Sequence, residues 1–207
     1  MNKQSDLSVF GADAAQSIIS NALAHADDGE IFIERQQSES LAFDDGRLRS
    51  ASFDESEGFG LRAVSGEMAA YAHSSDLSIE ALKRAAATVT TAMTAGKPAH
   101  IDVSPTHTKT KLYGDTNPVE AQSFAAKVNL LETVDKFTRG LDPRVKQVSV
   151  SIGSSWQKVT IVRADGQIYN DIRPLVRFGV SAVTENNTTL VSSIFFCLCN
   201  KRLNIGS

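Results

Sequence analysis

The sequence predicts an α+β fold of duplicated units, each a helix followed by an antiparallel β-meander, with mainly antiparallel sheets. Three observations lead there. Apolar residues recur with period two from Ile31 to His73 and again from Val145 to Thr184. Glycine-bearing turns punctuate both stretches. A segment with helical spacing precedes each of them.

The first helix is expected over Asp13 to His25, where Ala14, Ile18, Ile19, Ala22 and Leu23 fall on one face, and Asp27-Asp28-Gly29 ends it. Short strands are expected at Ile31–Gln37, Ser40–Asp45, Arg47–Phe53, Gly58–Ser65 and Glu67–His73. Asp45-Gly46 and Ser65-Gly66 lie between such runs, and glycine there supplies the positive φ of a tight hairpin turn. Ser78, with Asp76 nearby, is a suitable N-cap for the alanine-rich helix that follows, and Gly96 and Pro98 stop that helix. From Gly96 to Pro118 the chain carries three prolines and little periodicity, which reads as a connection.

Pro118 is expected to open another helix over Val119 to Phe137, as proline suits a first helical turn. Strands are then expected at Val145–Gly153, Gln157–Ala164, Gln167–Arg173 and Leu175–Thr184, with a turn at Asp165-Gly166. The second half thus repeats the first. Phe59-Gly60-Leu61-Arg62-Ala63-Val64-Ser65 matches Phe178-Gly179-Val180-Ser181-Ala182-Val183-Thr184, each expected in the last strand of its half. Glycine inside a strand points to a bulge or a close approach of another group. The expected organisation is a first domain over 1–97, a linker over 98–117, a second helix-plus-meander segment over 118–187 and a dissimilar tail over 188–207.

Composition narrows the function classes. With 21 Lys+Arg against 24 Asp+Glu the net charge is -3, so no diffuse positive field draws in a nucleic-acid backbone. The N-terminal residues have neither the apolar core of a signal peptide nor the basic, acid-free make-up of a transit peptide, and a cytoplasmic location is expected. The apolar run Leu190–Leu198 is about half of the ~20 residues a membrane helix requires. Cys197 and Cys199 make no disulfide framework.

The side chains that carry chemistry are sparse. None of His25, His73, His100 and His107 is followed by Glu, so the pairing of a zinc ligand with a general base is missing. His25 suits the negative end of the helix dipole, while His100 and His107 flank Asp102 in the linker, a spacing open to a loop metal site but read as solvated side chains. Cys197 and Cys199 lack two further metal ligands, and Ser65-Gly66 reads as a turn rather than a nucleophile elbow. Asp44, Asp45, Asp54, Glu55 and Glu57 offer hard oxygen ligands, but turns recruit such residues for local hydrogen bonds. Arg173 and Arg177 share a strand face and either grip a carboxylate or pair with acids of the meander. No residue is assigned a catalytic, cofactor-binding or metal-binding role.

The run from Asp27 to Leu82, DDGEIFIERQQSESLAFDDGRLRSASFDESEGFGLRAVSGEMAAYAHSSDLSIEAL, resembles the first domain of the TldD/PmbA family, once described as modulators of DNA gyrase. ADGQIYNDIRPLVRFGVSAVTENN is similar to the family's second segment, and its IRPLVR stretch resembles the TldD type more than the PmbA (TldE) sister. The resemblance implies a cytoplasmic zinc metallopeptidase whose TldD-type subunit pairs with a TldE-type subunit and cuts unfolded or peptide substrates, in peptide maturation and antitoxin degradation. In the family, zinc is held by a His-Glu-x-x-x-His helix and a distant Cys downstream of the region matched here, so no cofactor is expected in this chain. After Asn187 the similarity is lost, and a frame change or premature end is expected to account for the tail.

The resemblance therefore implies a non-catalytic N-terminal portion of a TldD-type subunit, shaping a substrate chamber and a subunit interface with a sister subunit or a second copy. The alternatives are a protein-interaction module with no part in peptide handling, or a gyrase-associated regulator acting through protein.

Overall fold

The computed structural model describes residues 10, 12–24, 26–94, 114–185 and 189–196, with 12, 13, 94 and 189–196 described by backbone alone. Along them run α1 (Ala12–Ala22), β1 (Asp28–Asp44), β2 (Arg47–Ser65), β3 (Met68–Ser74), α2 (Ile79–Thr94), α3 (Phe124–Leu141), β4 (Val145–Arg163), β5 (Ile168–Thr184) and β6 (Thr189–Phe196). The duplicated α+β order is present: a helix and three strands, twice. None of the described helices is long and apolar enough to cross a membrane.

The strands lie in the order β3-β2-β1-β4-β5-β6. Pairing is antiparallel between β2 and β3 and between β5 and β6. It is antiparallel between β1 and β4 as well: Asp45 N donates to Val148 O and Ala164 N to Gly29 O, so numbers rise on one strand as they fall on the other. The turns are built as the glycines require. Asp45 and Gly46 join β1 to β2 with φ of 50° and 72°, the geometry of a type I′ hairpin, while Gly66 and Gly166 turn at φ 59° and 82°.

Several expected boundaries move. The expected strands Ile31–Gln37 and Ser40–Asp45 are one strand, β1, and the other expected pairs fuse into β2, β4 and β5. The polar residues that read as breaks are cross-strand partners instead: Gln37 Nε2 donates to Glu55 at 3.2 Å, Arg35 pairs with Glu57 at 3.1 Å, and the hydroxyls of Ser40 and Ser52 meet at 2.8 Å. Pro174 sits inside β5 before its pairing with β6 begins at Val176, where a missing N-H costs no ladder bond.

The helix expected over Val119 to Phe137 is α3, Phe124–Leu141. Ser123 caps it by accepting from Ala126 N, and Pro118 lies in the preceding turn, where Asn117 caps Val119 N at 3.0 Å. A side-chain acceptor for the free amides of the first turn outweighs a residue that merely tolerates helix φ. The first helix ends at Ala22, short of His25. Phe59-Gly60 and Phe178-Gly179 lie in the middle strand of each meander rather than the last, because β3 and β6 follow them.

The chain forms two compact units. The first draws on the described residues within Met1–Arg35, Ser56–Thr110 and Lys158–Asp171. Its core packs Ala15 and Ile19 of α1, Leu23 just beyond it, and Leu82, Ala85 and Val89 of α2 on Ile31, Ile33, Phe59, Leu61 and Ala63, together with Val162 from β4. Ser78 Oγ caps α2 by accepting from Ala81 N at 3.2 Å and donates to Asp76 at 2.8 Å. Tyr71 lies over Gly60, where an added Cβ would stand 2.5 Å from the phenol oxygen.

The second unit draws on the described residues within Gln36–Glu55, Lys111–Gln157 and Ile172–Ser207. Its core packs Leu131 of α3 with Val148 and Val150 of β4 and with Leu41 and Phe43 of β1. Each core therefore includes strand residues from the other half of the sequence.

Expressed apart, residues 1–97 and 118–207 are expected to show no cooperative unfolding transition, since the first lacks Val162 and the second lacks Leu41 and Phe43. Mixing them should restore one transition. Two separate cooperative melts from the isolated pieces, followed by circular dichroism, would contradict this.

Candidate functional site

In the second unit, alternation along the strands separates two sheet faces. Leu41, Phe43, Val148 and Val150 meet α3, and Phe178 packs against that cluster. The intervening residues are small or polar: Ser40, Ala42 and Asp44 on β1, Ser149, Ser151 and Gly153 on β4, Arg177 and Gly179 on β5. Around Ser40, Ala42, Ser151, Gly153, Arg177 and Gly179 the surface sinks into an open cleft of about 370 Å³. At Gly179 an added Cβ would stand 3.0 Å from Ser151 Oγ, so glycine keeps the floor low. The small side chains leave the floor open, and Arg177 adds a cation at its margin.

Asp44 stands at one side of this face. It accepts from Ser149 Oγ at 2.7 Å and from Gln147 Nε2 at 3.2 Å, with Arg49 at 3.6 Å. These donors, Ser149 foremost, then Gln147, hold its carboxyl below the ordinary carboxylate value.

The other open feature is the edge of β2. The ladder to β3 starts at Phe59, and residues 47–57 are all exposed among the described residues. Among the described residues no strand pairs with that side of β2 before Phe59, and an edge of this kind suits strand addition.

The acidic residues do not gather into a cation site. Asp44 is held as above, Asp45 pairs with Arg139, Glu55 accepts from Gln37 and Glu57 pairs with Arg35. Among the described residues no three of His, Cys, Asp and Glu come together to hold a metal, so they do not fit the zinc that the resemblance implies for the whole enzyme. His73 stacks on Tyr71 at 5.6 Å. Arg173 donates to Gln157 at 3.4 Å, and Arg177 borders the cleft. His25, His100, His107, Cys197 and Cys199 lie outside the described residues.

Two buried charges have no counterpart among the sequence-based expectations. Lys127 on α3 is 5% exposed; its ammonium donates to Glu39 and, at 2.5 Å, to the carbonyl of Val119. Asp135, two turns on along α3, is 3% exposed and accepts from Arg139 at 3.1 Å. Arg139 also reaches Asp45 in the β1–β2 turn; Asp45 first and Asp135 second raise its pKa and keep it charged. The helical spacing of Lys127, Leu131 and Asp135 was the available signal, but a stripe with charge at both ends reads as a surface stripe.

Comparison with known proteins supplies the family. Residues 29–92 match the model described as PmbA/TldA metallopeptidase domain 1, and residues 117–195 match the PmbA/TldA metallopeptidase central domain. The chain belongs to the TldD/PmbA family. The central-domain match reaches into β6, past the point where the sequence reading places the loss of similarity.

The metalloprotease TldD homologue of Haemophilus influenzae is 32% identical over 163 residues, covering 78% of this chain and 34% of that protein. The Buchnera aphidicola (Schizaphis graminum) homologue is 30% identical over 161 residues, 77% of this chain and 33% of its own length. The chain thus spans about a third of these relatives. In fold it is similar to TldE from Thermococcus kodakarensis (TM-score 0.66, 16% identity, covering 88% of this chain and 42% of that one). It is similar too to a putative modulator of DNA gyrase from Thermotoga maritima (TM-score 0.67, 13% identity, 87% and 42%).

Three substitutions probe this unit. Lys127→Met should cost about 3 kcal/mol in urea unfolding, because the carboxylate of Glu39, its side chain 13% exposed, is left unpaired, whereas adding Glu39→Leu should recover most of it. No recovery in the double variant would refute the assignment. Ser149→Ala should raise the Asp44 titration toward its ordinary 3.8, read by carboxyl NMR. A depressed folded pKa adds stability above the unfolded value and loses it as pH falls through the folded one, so the variant should forfeit part of Asp44's contribution near neutrality.

Proposed function

We propose that this chain forms the N-terminal, non-catalytic portion of a TldD-type metallopeptidase subunit, lining a substrate chamber and joining a sister subunit or a second copy. The observation that carries the reading is the pair of ordered matches to the family's first and central domains, over 29–92 and 117–195. On this reading 1–97 and 118–187 are two repeats of one unit, 98–117 joins them, and zinc is held by other parts of the whole enzyme. The family's substrates, unfolded or peptide chains, make few side-chain demands, and a site for them must recognise main chain.

The cleft over Ser40, Ala42, Ser151, Gly153 and Gly179 suits that task. Its small side chains let an extended peptide approach, and Arg177 attracts a peptide carboxylate. The chain's part is to bind and orient, while bond cleavage belongs to the zinc-bearing domain.

Elemental analysis of the dialysed chain should find zinc well below one per chain; stoichiometric zinc would overturn the non-catalytic reading. In fluorescence anisotropy, an unfolded acidic peptide should bind, and Arg177→Ala should weaken it by about two- to fivefold, the scale of one exposed charge pair. An affinity unchanged by Arg177→Ala would remove the cleft from the proposal.

A further inference from the structure

The exposed stretch of β2 has an order of charge that selects a partner. From 47 to 57 it reads Arg-Leu-Arg-Ser-Ala-Ser-Phe-Asp-Glu-Ser-Glu: two cations at the turn end, three acids at the other. We propose that this edge pairs antiparallel with the same edge of a second copy of the chain, the arginine end of each strand lying along the acidic end of the other.

Four observations carry it. The segment is a strand with all its residues exposed, and its ladder to β3 begins only at Phe59. It carries no proline, so every residue keeps the N-H that an added strand needs, and its charges oppose pairing with any strand that does not offer the complementary order. Leu48 and Phe53 stand 38% and 58% exposed on it, apolar surface that strand pairing would take from water. The charge order is self-complementary in one sense only. Antiparallel copies set Arg47 opposite Glu57 and Arg49 opposite Glu55 on one face, whereas parallel copies set arginine along arginine.

The present partners of these groups leave them available. Arg49 meets Asp44 at 3.6 Å, Arg35 meets Glu57 at 3.1 Å, and Gln37 donates to Glu55 at 3.2 Å, and the β2 member of each contact, Arg49, Glu57 or Glu55, is itself exposed. Such contacts contribute little in water and exchange readily for an intermolecular pair. Asp44 and Asp45, the acids beside the arginine end, are committed to Ser149 and Arg139. Pairing would join two sheets across a two-fold axis, an isologous contact in which each strand supplies donor and acceptor alike.

The inference specifies the assembly part of the proposed function but rests on the strand alone, so its failure would leave the peptidase reading intact. Light scattering of the purified chain should give a dimer that weakens as salt rises. The double variant Arg47→Glu, Arg49→Glu should be monomeric, its edge acidic at both ends. Glu55→Arg, Glu57→Arg should also be monomeric, with an edge mainly cationic. Mixed one to one, the two variants should form a heterodimer, because every reversed charge then meets its opposite. This outcome separates a lost interface from a damaged fold. A monomeric native chain, a variant that dimerises alone as the native chain does, or a mixture that stays monomeric would each overturn the proposal.

Discussion

Helix α3 is fastened to the β1–β2 hairpin by charge at both ends of its buried stripe, and the second unit depends on that attachment. Lys127 reaches Glu39 near the start of the helix, and Arg139 reaches Asp45 near its end. Between them Leu131 closes on Leu41 and Phe43. A cluster of this size contributes modestly, since each fully buried aliphatic side chain is worth about 1.5–3 kcal/mol. The charges add register. An ammonium held by one carboxylate and one carbonyl leaves the helix little freedom to slide along the hairpin, because any displacement strands a buried charge.

The hairpin serves there only because its strands are long. Strands of 17 and 19 residues exceed the usual five or six, and both halves of the sequence contain such a pair. The central parts of β1 and β2 are polar, so burial alone gives them no reason to be strand. Cross-strand partners supply it: Arg35 with Glu57, Gln37 with Glu55, Ser40 with Ser52. Each contact is worth a few tenths of a kcal/mol, yet in sequence they carry the ladder over a stretch without core, and the strand reaches the next cluster of apolar residues.

Much of the fold was legible because it depends on local rules. The glycine turns at Gly46, Gly66 and Gly166 take the positive φ that their sequences call for, and the cap at Ser78 follows from its spacing to the alanine-rich helix. What stayed hidden depends on partners distant in the chain. Nothing near Ser38 or Glu55 announces a continuous strand, and Glu39 and Lys127 stand 88 residues apart. Pro118 was misleading for the opposite reason: the local rule was sound, but Ser123, five residues later, satisfied the helix amides better. The cleft was illegible in a simpler way, because small residues on a sheet face have no signature until neighbouring strands are aligned.

The repeated Phe-Gly pair shows how one design yields two outcomes. In both meanders the phenylalanine turns toward a core and the glycine toward the opposite face, as alternation demands. Over Gly60 the ring of Tyr71 fills the space that the missing Cβ leaves, and the face is closed there. At Gly179 the nearest atom to an added Cβ is Ser151 Oγ, and the space remains open as the floor of the cleft. The same glycine thus supports an aromatic lid in one copy and a shallow depression in the other. A duplicated unit needs little further change to separate structural from binding roles: the side chain that approaches the glycine decides whether the face is sealed or free to receive another chain.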